Sequence, residues 1–246
     1  GKLAHQFAKA LVGVSYDESR PNLMGVFVLP ISNGARMVST DGHRLVECMG
    51  TWADGPVASA IGDTGFIVPA PAVGAIKRVL ETGGGAPAAM ALNGDGATFL
   101  TVACHNTTVS VRLLDAAFPD YRGVIPKKTG RTLVVMKSLL IAALRRVQVV
   151  ASSKTHGVRM HIGDERIRIT ADNPDLGSSE ETIGGVRVNG DVFAMEIAFN
   201  AKYVVDALSI VDGEDVRILL DGTLAPGVFM QTDNDDVRSV VMPMRI

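Results

Sequence analysis

The sequence predicts an α+β fold of two tandem domains, with antiparallel sheets outside and helices on the inner face. Three observations predict it. The 246 residues exceed one average domain and suit two, each large enough to bury its own core. Amphipathic helical segments and hairpin-forming β runs come in separate blocks rather than in strict alternation. The order of those blocks then repeats.

Taken in order, the first helical segment spans 3–13, with Leu3, Phe7, Ala10 and Leu11 on one side, His5, Gln6 and Lys9 away from it, and Gly13 as its stop. "GVFVLPISNGARMVSTDGHRLVECMG" follows as strands turning at Asn33 with Gly34 and at Asp41 with Gly42. A second helix, 72–81, opens after Pro71 and presents Val73, Ile76, Val79 and Leu80. "AMALNGDGATFLTVACHNTTVSVRLL" reads as strands turning at 93–96 and near His105 and Asn106. The third helix, 137–150, carries Leu140, Ala143, Leu144 and Val147. "GVRMHIGDERIRITADN" alternates inward Val158, Met160 and Ile162 with outward Arg159 and His161, turning at Gly163 and Asp164. The fourth helix, 200–210, starts on Asn200 as its N-cap and runs through Tyr203, Val204, Ala207 and Leu208. "FIVPAPAVGAIKRVL" (66–80) and "MEIAFNAKYVVDAL" (195–208) occupy matching places, each a strand running straight into a helix. The join between the halves falls in "YRGVIPKKTGRT" (121–132), where Gly, Pro and two lysines cluster without periodicity.

Composition excludes several classes. Apolar residues make up 47% and charged residues 20%, which suits a folded chain. Every apolar run is interrupted well short of the ~18 residues a spanning helix needs. Cys48 and Cys104 lack CxxC spacing and read as small buried hydrophobes in a cytoplasmic protein. The net charge of −2, taken as a sum, speaks against a nucleic-acid partner, but its distribution is uneven. The four helical segments carry Lys9, Lys77, Arg78, Lys137, Arg145, Arg146 and Lys202 against only Glu81 and Asp206, so the rest of the chain is acidic. A solvated helix usually mixes signs; a one-sided excess suits a surface that faces phosphates.

Catalytic signatures are absent. His5, His43, His105, His156 and His161 never fall at HxxxH or HExxH spacing, which leaves no zinc motif. The glycines of "TGGGAP" (82–87) and "IGG" (183–185) lack the context of a phosphate loop, and no GxSxG occurs. "DNDD" (233–236) and "SSEE" (178–181) read as solvated charge runs.

Four stretches are specific without being catalytic: "YDESRPNLMGVF" (16–27), "STDGHRLV" (39–46), "FPDYRGVIP" (118–126) and the terminal "VVMPMRI". With "ITADNP" (169–174) and "MEIAFNAKYVVDAL", they resemble the second and third domains of the bacterial DNA polymerase III beta subunit, the beta sliding clamp family. The resemblance implies two DNA-clamp-type domains, 1–125 and 126–246, within an oligomeric ring around duplex DNA, gripping phosphates without reading bases. Lys9, Lys77, Arg78, Arg145, Arg146 and Lys202 are then the DNA-facing candidates. It also implies a hydrophobic interdomain cleft for short linear peptides of the polymerase III alpha subunit, the clamp loader and repair polymerases. Motif by motif, Leu23, Thr40, Gly42, His43, Arg44, Leu45, Pro119 and Val124 line one side. Asn200, Tyr203, Leu224, Val240, Val241, Met242, Pro243, Met244 and Arg245 line the other. Thioethers there adapt to several partner side chains. The family implies no cofactor, no metal, no catalytic residue and no membrane.

The sequence departs from the family pattern in three ways. It begins at what resembles the second domain, as an excised part of a longer clamp or as a two-domain form, of which three copies would supply a ring. Gly123 stands where many clamps carry a basic residue, and Pro226 where a small polar one is usual. The alternative to an encircling clamp is a two-domain fragment or adaptor that binds clamp-interacting peptides only. A hydrolase using His43 and Asp41 lacks a placed nucleophile.

Overall fold

The computed structural model describes all residues except 1, 33, 52–63, 85, 95, 97, 127–129, 164, 191–193 and 246. Asn33, Asp95 and Asp164 of the expected turns, and the two lysines of the expected join, lie outside the described residues. The chain divides into two compact units, Gly1–Asp120 and Tyr121–Ile246. The division lies at the start of the 121–132 stretch and before the 125–126 boundary that the resemblance implies; Tyr121 is buried, and its carbonyl accepts from Val124 N in a turn of the second unit.

In the first unit, α1 (Lys2–Ala10) leads through a 3₁₀ turn, Leu11–Gly13, and another, Pro21–Leu23, into β1 (Gly25–Ile31), β2 (Gly34–Thr40), β3 (Arg44–Thr51) and β4 (Phe66–Pro69). These four strands pair antiparallel in the order β3-β2-β1-β4. The β2/β3 pair closes tightly at Gly34, where an added Cβ would sit 1.9 Å from the Gly50 carbonyl oxygen. α2 (Ala70–Thr82) follows β4 without a break and buries Val73, Ile76, Val79 and Leu80, the face its spacing predicts. A second sheet, β5-β6-β7, is formed by Ala88–Asn93, Phe99–Cys104 and Thr107–Arg112. Its β6/β7 turn puts His105 at φ 52. α1 packs on α2 and on β2 and β3, while α2 packs on β4, β6 and β7.

The second unit repeats this plan. β8 (Arg131–Met136) runs into α3 (Lys137–Val147), followed by β9 (Gly157–Ile162), β10 (Arg166–Asn173), β11 (Gly177–Gly184), β12 (Arg187–Gly190) and β13 (Met195–Asn200). α4 (Ala201–Ser209) then continues directly from β13 into β14 (Asp215–Leu220), β15 (Gly227–Met230) and β16 (Val237–Val241). The order β11-β10-β9-β13 has the connectivity of β3-β2-β1-β4, and each set ends in a strand that becomes a helix. The other sheet, β12-β8-β14-β15-β16, contains the counterparts of β5, β6 and β7 with β8 and β12 added. Its core joins Leu140, Ala143, Leu144 and Val147 of α3 to Val204, Ala207 and Leu208 of α4 and to the inward residues of both sheets. Phe199 and Phe229 meet edge to face with ring centroids 6.2 Å apart. The fold is α+β, with antiparallel sheets and two packed helices in each tandem unit.

Helix ends differ from the spacing-based limits where apolar residues stop facing the core. α3 ends at Val147 rather than 150, and Val149 is 75% exposed. α1 gives way to 3₁₀ geometry at Leu11, because Gly13 lies against Ser39, whose Oγ donates to the Ala10 carbonyl.

Candidate functional site

In the first unit, the residues of "STDGHRL" form a turn held by its own side chains. Asp41 Oδ1 accepts from His43 N at 2.9 Å and Arg44 N at 3.1 Å, and Oδ2 accepts from Arg44 Nε at 3.0 Å. Thr40 Oγ1 donates to the Arg44 carbonyl at 2.6 Å and accepts from Gly42 N at 3.1 Å. Gly42 has φ +91, a region that costs other residues strain. The turn buries Leu45, half-buries Thr40 and Arg44, and exposes Gly42 and His43. The Asp41 carboxylate is thus engaged by two backbone N–H groups and by Arg44, which fixes the turn.

Two neighbouring stretches are drawn onto this turn. Arg20 donates through Nη1 to the Asp41 carbonyl at 2.9 Å and through Nε to Asp17 at 3.0 Å. Asp17 also accepts from Ser19 Oγ and N, and these bonds, with Arg20, hold its carboxyl below the usual carboxylate range. Leu23, on the 3₁₀ turn after Arg20, is buried, and its carbonyl accepts from Ser15 N. Asn22 Nδ2 reaches the Ala117 carbonyl at 3.3 Å, and Phe27 stacks on Phe118 with centroids 4.9 Å apart and planes 9° from parallel. Exposed Pro119 follows. The first unit thus brings together Leu23, Thr40, Gly42, His43, Arg44, Leu45 and Pro119. The residues that fasten them, Arg20, Asn22, Phe27 and Phe118, are not among the predicted site residues. Their only sequence signal is a place inside the same motif stretches.

The second unit gathers another group. Asn200 Oδ1 accepts from Lys202 N at 2.9 Å and Tyr203 N at 3.3 Å, making it the N-cap of α4. Tyr203 packs against the core. The terminal segment returns to this corner, where Met244 N donates to the Ala198 carbonyl at 2.8 Å and leaves Met242, Pro243 and Met244 half-buried and Arg245 exposed. Leu224 is 66% exposed in the connection between β14 and β15. Two placements change the expected picture. Val240 and Val241 are fully buried strand residues paired with Val228 and Gly227, so they contribute sheet and no exposed wall. Val124, grouped with the first side, belongs to the second unit.

The basic helix residues separate into three kinds. Lys9 is 4% exposed, which corrects its assignment as DNA-facing: α1 is covered by both α2 and β3, and Lys9 falls within the covered surface while His5 stays exposed. Lys77 pairs with Glu81 at 3.3 Å, and Arg146 grips Glu181 through Nε at 2.6 Å and Nη2 at 3.1 Å. That bond raises the Arg146 pKa and holds the Glu181 carboxyl below its ordinary range. Arg78, Arg145 and Lys202 are exposed, and none has a carboxylate within 4.0 Å among the described residues. The acidic runs are also more ordered than solvated charge: Glu180 pairs with Arg168, Glu181 with Arg146, and Asp235 with Arg217 and Arg238. Among the described residues, no cluster of three His, Cys, Asp or Glu is placed to hold a metal, and no helix is long and apolar enough to cross a membrane.

Comparison with known proteins matches residues 2–120 to the central domain of the DNA polymerase III beta subunit and residues 122–245 to its C-terminal domain. The chain is 29% identical over 233 residues to the beta sliding clamp of Escherichia coli (strain K12), covering 95% of this chain and 60% of that protein. It is 29% identical over 245 residues to the beta sliding clamp of Pseudomonas putida (strain KT2440), covering 100% and 64%. A sliding clamp, DNA polymerase III subunit beta, from Pseudomonas aeruginosa bound to griselimycin superposes with a TM-score of 0.90 at 28% identity, covering all of this chain and 63% of its own. The chain therefore spans a little under two thirds of these relatives. With two successive domain models accounting for nearly every residue, the chain belongs to the DNA polymerase III beta subunit family.

Proposed function

We propose that the chain acts in DNA replication as clamp domains of a processivity factor, which encircles duplex DNA as part of a ring and tethers the polymerase to it without chemistry of its own. The observation that supports this reading is that the 16–27 stretch is fastened to both other motif stretches of the first unit, through Arg20 to the turn built by Asp41 and through Phe27 to Phe118. Short linear peptides of the polymerase III alpha subunit, the clamp loader and repair polymerases are received by a hydrophobic cleft. The first unit supplies Leu23, Thr40, Gly42, His43, Arg44, Leu45 and Pro119. The second supplies Val124, Asn200, Tyr203, Leu224, Met242, Pro243, Met244 and Arg245, with Val240 and Val241 anchoring the tail. Met residues suit a surface that serves several peptides. Arg78, Arg145 and Lys202 meet phosphates, joined by Lys77 and Arg146 when their carboxylates yield, and contact of this kind lets a clamp slide. The compartment is the cytoplasm.

Fluorescence polarisation with a labelled alpha-subunit peptide tests the cleft: saturable binding that His43→Ala weakens is expected, and absence of binding by the folded chain refutes it. Retention on nicked circular but not linear DNA at high salt tests encirclement. Peptide binding without such retention would favour a two-domain adaptor.

A further inference from the structure

The sheet face of β14, β15 and β16 opposite the core carries an arginine pair that none of the foregoing uses. Arg217 lies opposite Met230, and Met230 opposite Arg238, so the two guanidiniums flank one thioether across three adjacent strands. Leu219 and Val228 pair in the next row. Together with Ile125 and Pro126 they line a recess of about 340 Å³. Val228 and Met230 are each only 3% exposed, giving the recess an apolar floor.

Asp235 stands beside both arginines. Asp235 Oδ1 accepts from Arg217 Nη2, while Oδ2 stands 3.8 Å from Arg238 Nη2. The cations are the shielded partners, at 29% and 30% side-chain exposure, and the carboxylate is the solvated one, at 61%. Arg217 Nε is buried and has no hydrogen-bond partner among the described residues. Two partly desolvated guanidiniums thus meet a solvated carboxylate beside apolar surface. A ligand carboxylate is favoured there by the fork geometry of guanidinium and by the unused Arg217 Nε–H.

We infer that this recess binds a carboxylate carried next to an apolar side chain, as at the C-terminus of a peptide, and that Asp235 occupies the same guanidiniums until the ligand displaces it. Arg217 and Arg238 hold the carboxylate, and Leu219, Val228 and Met230 take the side chain. None of these residues is among those assigned to the peptide cleft.

The test is an NMR titration of the full chain with N-acetyl-leucine, and with N-acetyl-leucinamide as its neutral counterpart, following the Arg217 and Arg238 Nε–H signals. Saturable shifts with the acid and roughly tenfold weaker binding of the amide are expected, since a charge-assisted bond is lost. Arg217→Gln should weaken acid binding by a similar factor. Asp235→Asn should strengthen it by about threefold, the order of an exposed ion pair that no longer competes. Equal response to acid and amide, no response from wild type and D235N, or weaker binding by folded D235N would each overturn the inference. Because Asp235 is exposed, D235N decides the question even if R217Q fails to fold.

Discussion

Replacing Asn200 with Ala removes the one side chain that caps α4. Its Oδ1 makes one good bond, 2.9 Å to Lys202 N, and one long bond, 3.3 Å to Tyr203 N. Nothing else in the first turn compensates, since α4 has no acidic residue there. Phe199 and Ala201 on either side are buried, which fixes the backbone and prevents another group from swinging into the cap position. Loss of an Asn cap costs about 1 kcal/mol. For a cooperative unit the size of Tyr121–Ile246, that is a fall in Tm of about 4 °C. Calorimetry of N200A should show this fall in the transition of the second unit. N200D should stay within about 0.5 kcal/mol of wild type, because a carboxylate accepts the same bonds and complements the helix dipole. If N200A melts with wild type, or N200D falls as far as N200A, the side-chain cap does not stabilise α4.

Three further outcomes are expected. Gly42→Ala forces a Cβ into φ +91 and within 3.0 Å of Arg20 Nη1, so the first unit should lose roughly 1–2 kcal/mol in denaturant unfolding, and alpha-subunit peptide binding should fall with it. Glu181 should titrate by NMR below the ordinary carboxylate range and return to that range in Arg146→Gln. The sign follows from the depressed folded value: the pair's small, solvent-screened stabilisation is present above the unfolded Glu pKa and disappears as pH falls through the folded one. Glu181→Gln releases Arg146, and the slope of log K for duplex DNA against log salt should steepen by up to about 0.9; an unchanged slope would remove Arg146 from the phosphate-contacting set.

Features with a local cause were legible in the sequence. The α2 stripe, the strand-to-helix junctions and the Asn200 cap depend on neighbours within one turn of the chain, and those neighbours are written beside them. Features with a distant cause were not. Lys9 stands off the Leu3, Phe7, Ala10 stripe and yet is buried, because periodicity describes one face while α1 is covered from two directions. Arg146 lies 35 residues from Glu181, and Arg20 lies 21 from Asp41, so neither pairing leaves a pattern in a window of helical length. The acidic runs at 178–181 and 233–236 looked solvated for the same reason: their arginine partners Arg168, Arg146, Arg217 and Arg238 arrive through sheet register and helix packing. The motif residues around Asp41 are legible through family resemblance, while the bonds that hold the turn emerge only from its geometry.

Those pairings bear on where positive charge remains available. In the second unit, strand residues Arg159, Arg168, Arg187, Arg217 and Arg238 each have a carboxylate within 4.0 Å; Arg131 and Arg166 have none among the described residues. Cross-strand neighbours lie close enough for opposite charges to meet without further design. Within a helix only the i,i+3 and i,i+4 positions offer such a neighbour, and these pair Lys77 with Glu81, while Arg146 finds Glu181 on β11. At four residues on, Arg78 meets Thr82 and Arg145 meets Val149, while Lys202 precedes Asp206, the less favourable orientation, with no bond formed. Leaving such exposed cations unpaired forfeits at most about 1 kcal/mol each. Their fields therefore stay open to solution, where a phosphate can supply the counter-charge that the strand arginines already have within the fold.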